Sequence, residues 1–201
     1  MNWKIDKSFD WCYGHRVWSQ ELNAEFTQSG DTCLACRHLH GHQGQLKVVL
    51  ESDTLERGMV TDFKHLGWMK DFIDNVLDHK FIMDINDPLL AHEVPDLMSN
   101  TDKALRNFGF EPELIMTKLK EHPEGYWTVK LHNFTHDEDN VRERAIYEKY
   151  EGMIFVDFVP TSENLAAWMF GIAKKKMAKM DVQVTAVDFW ETPKSHCRVE
   201  E

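Results

Sequence analysis

The stretch Cys36-Arg37-His38-Leu39-His40-Gly41-His42 concentrates side chains that bind metals or move protons. Side chains alternate on an extended backbone, so His40 and His42 would share a face and can share an ion. His15 closes the apolar side of another alternating stretch, Trp3, Ile5, Lys7, Phe9, Trp11 and Tyr13, which continues to Val17. Taken alone, a histidine there reads first as a hydrogen-bonded core residue. Together His15, His40 and His42 can hold zinc tetrahedrally with one position open, at Zn–N contacts of about 2.0–2.1 Å. The competing site is closed and structural: Cys33, Cys36, His40 and His42. Against it stands the single residue Gly41 between the histidines, where finger-type pairs are separated by about three to five residues.

Outside a ligand shell, Cys36 has a different use. A thiol near a metal or an imidazole can have a lowered pKa and act as a base. Asp78-His79 sets a carboxylate beside an imidazole, which reads as helix termination or as a proton relay. Glu191 follows Trp190 at the end of an apolar run. It reads either as an exposed strand end or as a carboxylate that accepts two parallel hydrogen bonds from an amino-pyrimidine edge.

These residues need strands and helices to position them. The alternation over Trp3–Val17 predicts a strand, and Leu46, Val48 and Leu50 continue the parity of His40 and His42 into a second. The polar residues 19–32 form a loop between them. Thr61 or Asp62 can cap a helix carrying Phe63, Leu66, Met69, Phe72, Ile73, Val76 and Leu77. A second helix opens after Pro160 on Thr161 or Ser162 and buries Leu165, Trp168, Met169 and Ile172. Lys174, Lys175 and Lys176 near its end complement the helix dipole. Val182, Val184, Ala186, Val187 and Phe189 make a third strand, and His196 to Val199 a short fourth. Between the helices, about Pro88 to Gly152, lies a long interruption. Its pattern predicts a helix capped by Asp96 and carrying Leu97, Thr101, Leu105 and Phe108, a strand over Trp127, Val129 and Leu131, and a charged stretch from His136 to Glu151.

At 201 residues one domain, or one domain with a long insertion, is expected, with room for a substantial core. Its formal charge of −11 argues against binding nucleic acid or anionic membranes, which rests on basic patches. No apolar run is long enough to span a bilayer, and the opening residues do not read as a signal sequence. Four cysteines are few for a disulfide scaffold, so a reduced cytoplasmic chain is expected.

Read in order, the motifs resemble one family. They are Phe9-Asp10-Trp11 with His15-Arg16, Cys36 with His40-Gly41-His42, Gly58-Met59-Val60 with Asp62-Phe63, Leu77-Asp78-His79, Pro160-Thr161-Ser162-Glu163-Asn164, and Glu191-Thr192. The family is that of the 6-pyruvoyl and 6-carboxytetrahydropterin synthases. The resemblance covers residues 1 to about 87 and about 153 to 192. It implies an α+β tunnelling fold: a four-stranded antiparallel sheet with two helices on one face, here in a single domain with an insertion at about 88–152. It implies zinc on His15, His40 and His42, Cys36 as base with Asp78 and His79 as relay, and Glu191, Glu163 and Thr161 around a pterin. A homo-oligomer, a hexamer by likeness, is also implied.

The short gap from Cys36 to His40 is similar to the carboxytetrahydropterin branch of the queuosine route. That branch acts on 7,8-dihydroneopterin triphosphate as a lyase, releasing triphosphate and acetaldehyde. The alternatives are the pyruvoyl enzyme, a redirected pterin site, and a non-catalytic protein with the Cys/His zinc site. Gly14, Cys33, Met83, Trp190 and the length of the insertion depart from the family pattern. Arg16, Lys64 and Lys80 are candidates for the triphosphate by position.

Overall fold

The structure, a computed structural model, describes all residues but 24, 28–33, 98–112 and 135–138, and the side chains of all of those but 113, 114 and 133. The main elements are β1 (Trp3–His15), β2 (His40–Ser52), α1 (Gly67–Phe72), β3 (Lys80–Asp84), β4 (Leu119–His122), β5 (Tyr126–Val129), α2 (Val141–Glu151), β6 (Met153–Val156), α3 (Ser162–Met177), β7 (Gln183–Thr192) and β8 (Ser195–Glu200). Two compact units comprise them. The first takes Met1–Gly14, Gly41–His79 and Thr161–Glu201, and the second His15–His40 and Lys80–Pro160.

The first unit carries four strands in the order β1-β2-β7-β8. β1 buries Phe9, Trp11 and Tyr13 while Asp10 and Cys12 face outward, as its alternation predicts. β2 pairs antiparallel with β7, Val48 opposite Val187 and Gln45 opposite Trp190. A bulge beyond Val49 breaks the parity, but on the far side of the strand from the histidines. The β7–β8 hairpin puts Trp190 opposite His196.

The first helical run is less uniform than its spacing predicts. Asp62 accepts a hydrogen bond from the Lys64 N–H, opening a 3-10 turn over Phe63–Leu66. α1 follows, and Ile73–Leu77 continues as a π turn, which the Asp78 N–H closes onto the Ile73 carbonyl at 2.8 Å. The run buries Leu66, Met69, Ile73 and Leu77. α3 buries Leu165, Ala166, Met169 and Phe170, and Phe72 meets its Trp168 edge-on at 6.0 Å.

Thr161 accepts from the Asn164 N–H and caps α3. Thr161→Ala is expected to lower stability by about 1 kcal/mol in denaturant melts, the usual worth of such a cap.

Among its described residues the second unit also holds four strands, β4-β5-β6-β3, and four of its elements, β3, β4, α2 and β6, do not follow from the sequence pattern. β3 and β6 run parallel, Ile82 opposite Ile154, and β6 is wholly buried. A short run buried on both faces shows no alternation, and that hides such strands from periodicity. α2 was read only as a charged stretch. Asn140 caps it by accepting from the Arg142 and Glu143 N–H groups, and Tyr150 is its buried residue. Leu131 ends up in a 3-10 turn rather than in β5. Met83, Leu90, Val94, Ile115, Tyr150 and Phe155 belong to this unit's core. Of the expected helix from Asp96, the described part is the 3-10 turn Pro95–Leu97, and the rest lies outside the described residues. Among the described residues no helix is long and apolar enough to cross a membrane.

Candidate metal centre

His15 ends β1 with its side chain fully buried. Its Nδ1 lies 2.6 Å from the Pro160 carbonyl oxygen. His40 opens β2, with Nδ1 2.7 Å from the His38 carbonyl, and the two rings are 4.5 Å apart between centroids. A carbonyl can only accept, so in both rings Nδ1 carries the proton and Nε2 presents its lone pair. That tautomer, with the second nitrogen tied to a carbonyl, is the one metal-binding histidines adopt.

His42 lies two residues beyond His40. Its ring packs 5.9 Å from that of Tyr13, and its Nε2 is 3.3 Å from Glu191 Oε1. Each of His15, His40, His42 and Glu191 offers one ligand atom, and these atoms lie within 4.8 Å of one another. Imidazole nitrogens with a carboxylate oxygen suit zinc and similar divalent ions. The donor set and the tautomers therefore fit a bound divalent metal.

Strand geometry explains two local choices. His38 lies before β2, in the bend after the Ala35–Arg37 turn, so the alternation that aligns His40 with His42 does not reach it. Gly44 leaves room for Tyr13, because a Cβ there would sit 2.9 Å from the ring. Burial, and then the charge of Glu191, push the Tyr13 hydroxyl well above the usual tyrosine range, so it stays protonated.

Glu191 was foreseen as a ligand anchor and not as a neighbour of His42. The strand register brings it there: Trp190 pairs with Gln45, so Glu191 falls on the face of Gly44 and His42. An adjoining cleft of about 610 Å³ is lined by His42, Gln43, Gln45, Trp190, Glu191 and Thr192, among others.

Asp78 and His79 form a pair, with His79 Nδ1 2.9 Å from Asp78 Oδ2. The backbone of Cys12 holds both. Its N–H donates to Asp78 Oδ1 at 2.9 Å, and its carbonyl accepts from the His79 N–H at 2.7 Å. His79 adopts a left-handed φ of 59° to make this turn. The Cys12 N–H foremost, and His79 beside it, hold the Asp78 carboxyl below the usual carboxylate range against a burial effect of opposite sign. A depressed native pKa contributes stability that is present above the unfolded value, about 3.9, and is lost as pH falls through the native one. Denaturation of wild type and Asp78→Asn is thus expected to show a constant stability gap from neutrality to about pH 4, closing below it.

Cys36 sits half-buried in the Ala35–Arg37 turn. Its N–H donates to Gln20 Oε1 at 3.0 Å and its carbonyl accepts from Val17 at 2.7 Å. Among the described residues it is not part of the metal-capable group, and Cys33 lies outside the described residues. Thr161 spends its hydroxyl on the α3 cap, and Glu163 is exposed one turn in. Burial first, and then the charges of Glu163 and Asp188, push the Cys197 thiol up. Of the positional cations, Arg16 is buried in an ion pair with Asp87, and Lys80 donates to the Glu151 carbonyl.

The family model described as 6-pyruvoyl tetrahydropterin synthase matches residues 4–201. A 6-carboxy-5,6,7,8-tetrahydropterin synthase of Aquifex aeolicus is 31% identical over 211 aligned positions, covering 100% of this chain and 99% of that protein. Among solved structures, an uncharacterized protein from Wolinella succinogenes superposes with a TM-score of 0.82 at 45% identity, covering 100% of this chain and 98% of the other. The 6-pyruvoyl tetrahydropterin synthase of Plasmodium vivax matches at a TM-score of 0.51 and 12% identity over 100% and 98% of the two chains, a likeness of fold.

Proposed function

Since the chain belongs to the 6-pyruvoyl tetrahydropterin synthase family, we propose that it is a zinc-dependent lyase. It would convert 7,8-dihydroneopterin triphosphate to 6-carboxy-5,6,7,8-tetrahydropterin with loss of triphosphate and acetaldehyde. The carrying observation is the gathering of His15, His40, His42 and Glu191 beside an open cleft. The whole-length similarity to the Aquifex carboxytetrahydropterin synthase, with the short Cys36-to-His40 spacing, favours the carboxy product over the pyruvoyl one.

In this reading His15, His40 and His42 hold the ion, which when bound supplies Lewis acidity toward the substrate's side-chain hydroxyls. Cys36 takes protons from the side chain, and the Asp78–His79 pair relays them. Glu191 anchors the amino-pyrimidine edge, with Thr161 and Glu163 near the ring. The 88–152 segment is an insertion in one synthase domain. The working form is a cytoplasmic homo-oligomer, a hexamer by family likeness, and its product feeds queuosine synthesis.

Incubation of the purified protein with dihydroneopterin triphosphate should release acetaldehyde together with a carboxypterin. Triphosphate release with a pyruvoyl product would assign the sister reaction. Glu191→Gln keeps the shape and loses one charge-assisted acceptor, so KM should rise by about 10- to 100-fold with metal retained. Loss of metal in that variant would make Glu191 a ligand instead of an anchor.

A further inference from the structure

The chain leaving His15 is held at each of its next three residues. Arg16 Nε lies 3.0 Å from Asp87 Oδ2, with the two side chains 11% and 1% exposed. The Val17 N–H donates to the Cys36 carbonyl at 2.7 Å. Trp18 Nε1 donates to Asp84 Oδ2 at 2.8 Å.

The two aspartates are themselves fixed. Asp84 ends β3, and its Oδ1 accepts from the backbone N–H and side-chain amide of Asn86. Asp87 Oδ1 accepts from the Leu89 N–H at 2.8 Å, and the Ile85 N–H ties the turn to the Val156 carbonyl. The base of this clamp is thus the buried parallel pair of β3 and β6.

A buried ion pair is a poor stabiliser compared with apolar residues of the same volume, because desolvation offsets its attraction. What the Arg16–Asp87 pair does supply is a fixed direction for the backbone that carries His15. We infer that Asp87 and Asp84 are positioning residues for the metal centre, acting through Arg16 and Trp18 on the aim of the His15 imidazole. This rests on the reading of His15 as a metal ligand. It also removes Arg16 from the cations available to a polyphosphate.

The test uses the full chain loaded with cobalt(II), whose visible absorption reports ligand geometry. Asp87→Asn is expected to weaken cobalt and zinc binding by about 3- to 10-fold, below the roughly 10- to 100-fold cost of losing a group bonded directly to a ligand, because Asp87 acts through Arg16. Its folded fraction should also show altered cobalt bands. Asp87→Glu, which keeps the charge, should recover most of both. Trp18→Phe removes the indole N–H from Asp84 along with part of a ring that is only half-buried, so it should fold and shift the bands in the same direction by less. That variant decides the question if Asp87→Asn does not fold. Wild-type affinity and spectrum in the folded Asp87→Asn or Trp18→Phe protein, with metal lost from His15→Ala, would overturn the clamp and leave the metal centre standing. Full metal retention in His15→Ala would overturn both.

Discussion

His15→Ala should yield a folded protein that no longer retains its metal and has no measurable turnover. His15 is one of three imidazoles in the group, and its tautomer is set by the Pro160 carbonyl. Loss of an outer-shell partner alone costs about 10- to 100-fold in metal affinity, so loss of the ligand should cost about 100-fold or more. Metal content by elemental analysis after dialysis, with a melting curve as control, measures the effect. The competing Cys33, Cys36, His40 and His42 site makes the opposite forecast: His15→Ala would keep one ion per chain, and Cys36→Ala would lose it. One ion retained in His15→Ala therefore discards the open catalytic centre.

Cys36→Ala should show the complementary pattern, with metal and fold intact and kcat lowered by about 10²- to 10⁴-fold, the range for losing a general base. The backbone of Cys36 is held on both sides, by Gln20 and by Val17, and neither bond involves the sulfur. Truncation to alanine therefore removes the thiol and leaves the turn. Full activity in this variant would mean that another group moves the proton, and the Asp78–His79 pair would be the next to test. A fall in kcat matched by loss of zinc would instead return Cys36 to the ligand shell.

Much of the framework could be read from local pattern. The alternation from Trp3 marks β1, Asp62 and Thr161 are each one of the two residues that could cap its helix start, and the strand after His42 runs on the parity of Leu46 and Val48. The elements that escaped share a cause. β3 and β6 are short and buried on both faces, β4 is only four residues long, and α2 is mostly exposed, so none carries the amphipathic period that betrays a half-buried element. Asn140 was a usable capping signal for α2 that the surrounding charge obscured.

By itself the sequence determined that His40 and His42 face the same way, because a period of two is a property of the extended backbone wherever it lies. His40 takes its tautomer locally, from the His38 carbonyl, but for His15 only the tertiary structure decided which nitrogen the ring presents. His15 takes its tautomer from Pro160, 145 residues away, and His42 finds Glu191 on another strand. The clamp of Arg16 on Asp87 is a decision of the same kind, whereas His38 is set aside locally, by the turn that precedes β2. Spacing encodes local direction, whereas a hydrogen bond between distant segments exists only once strands have paired and burial has left those partners to each other.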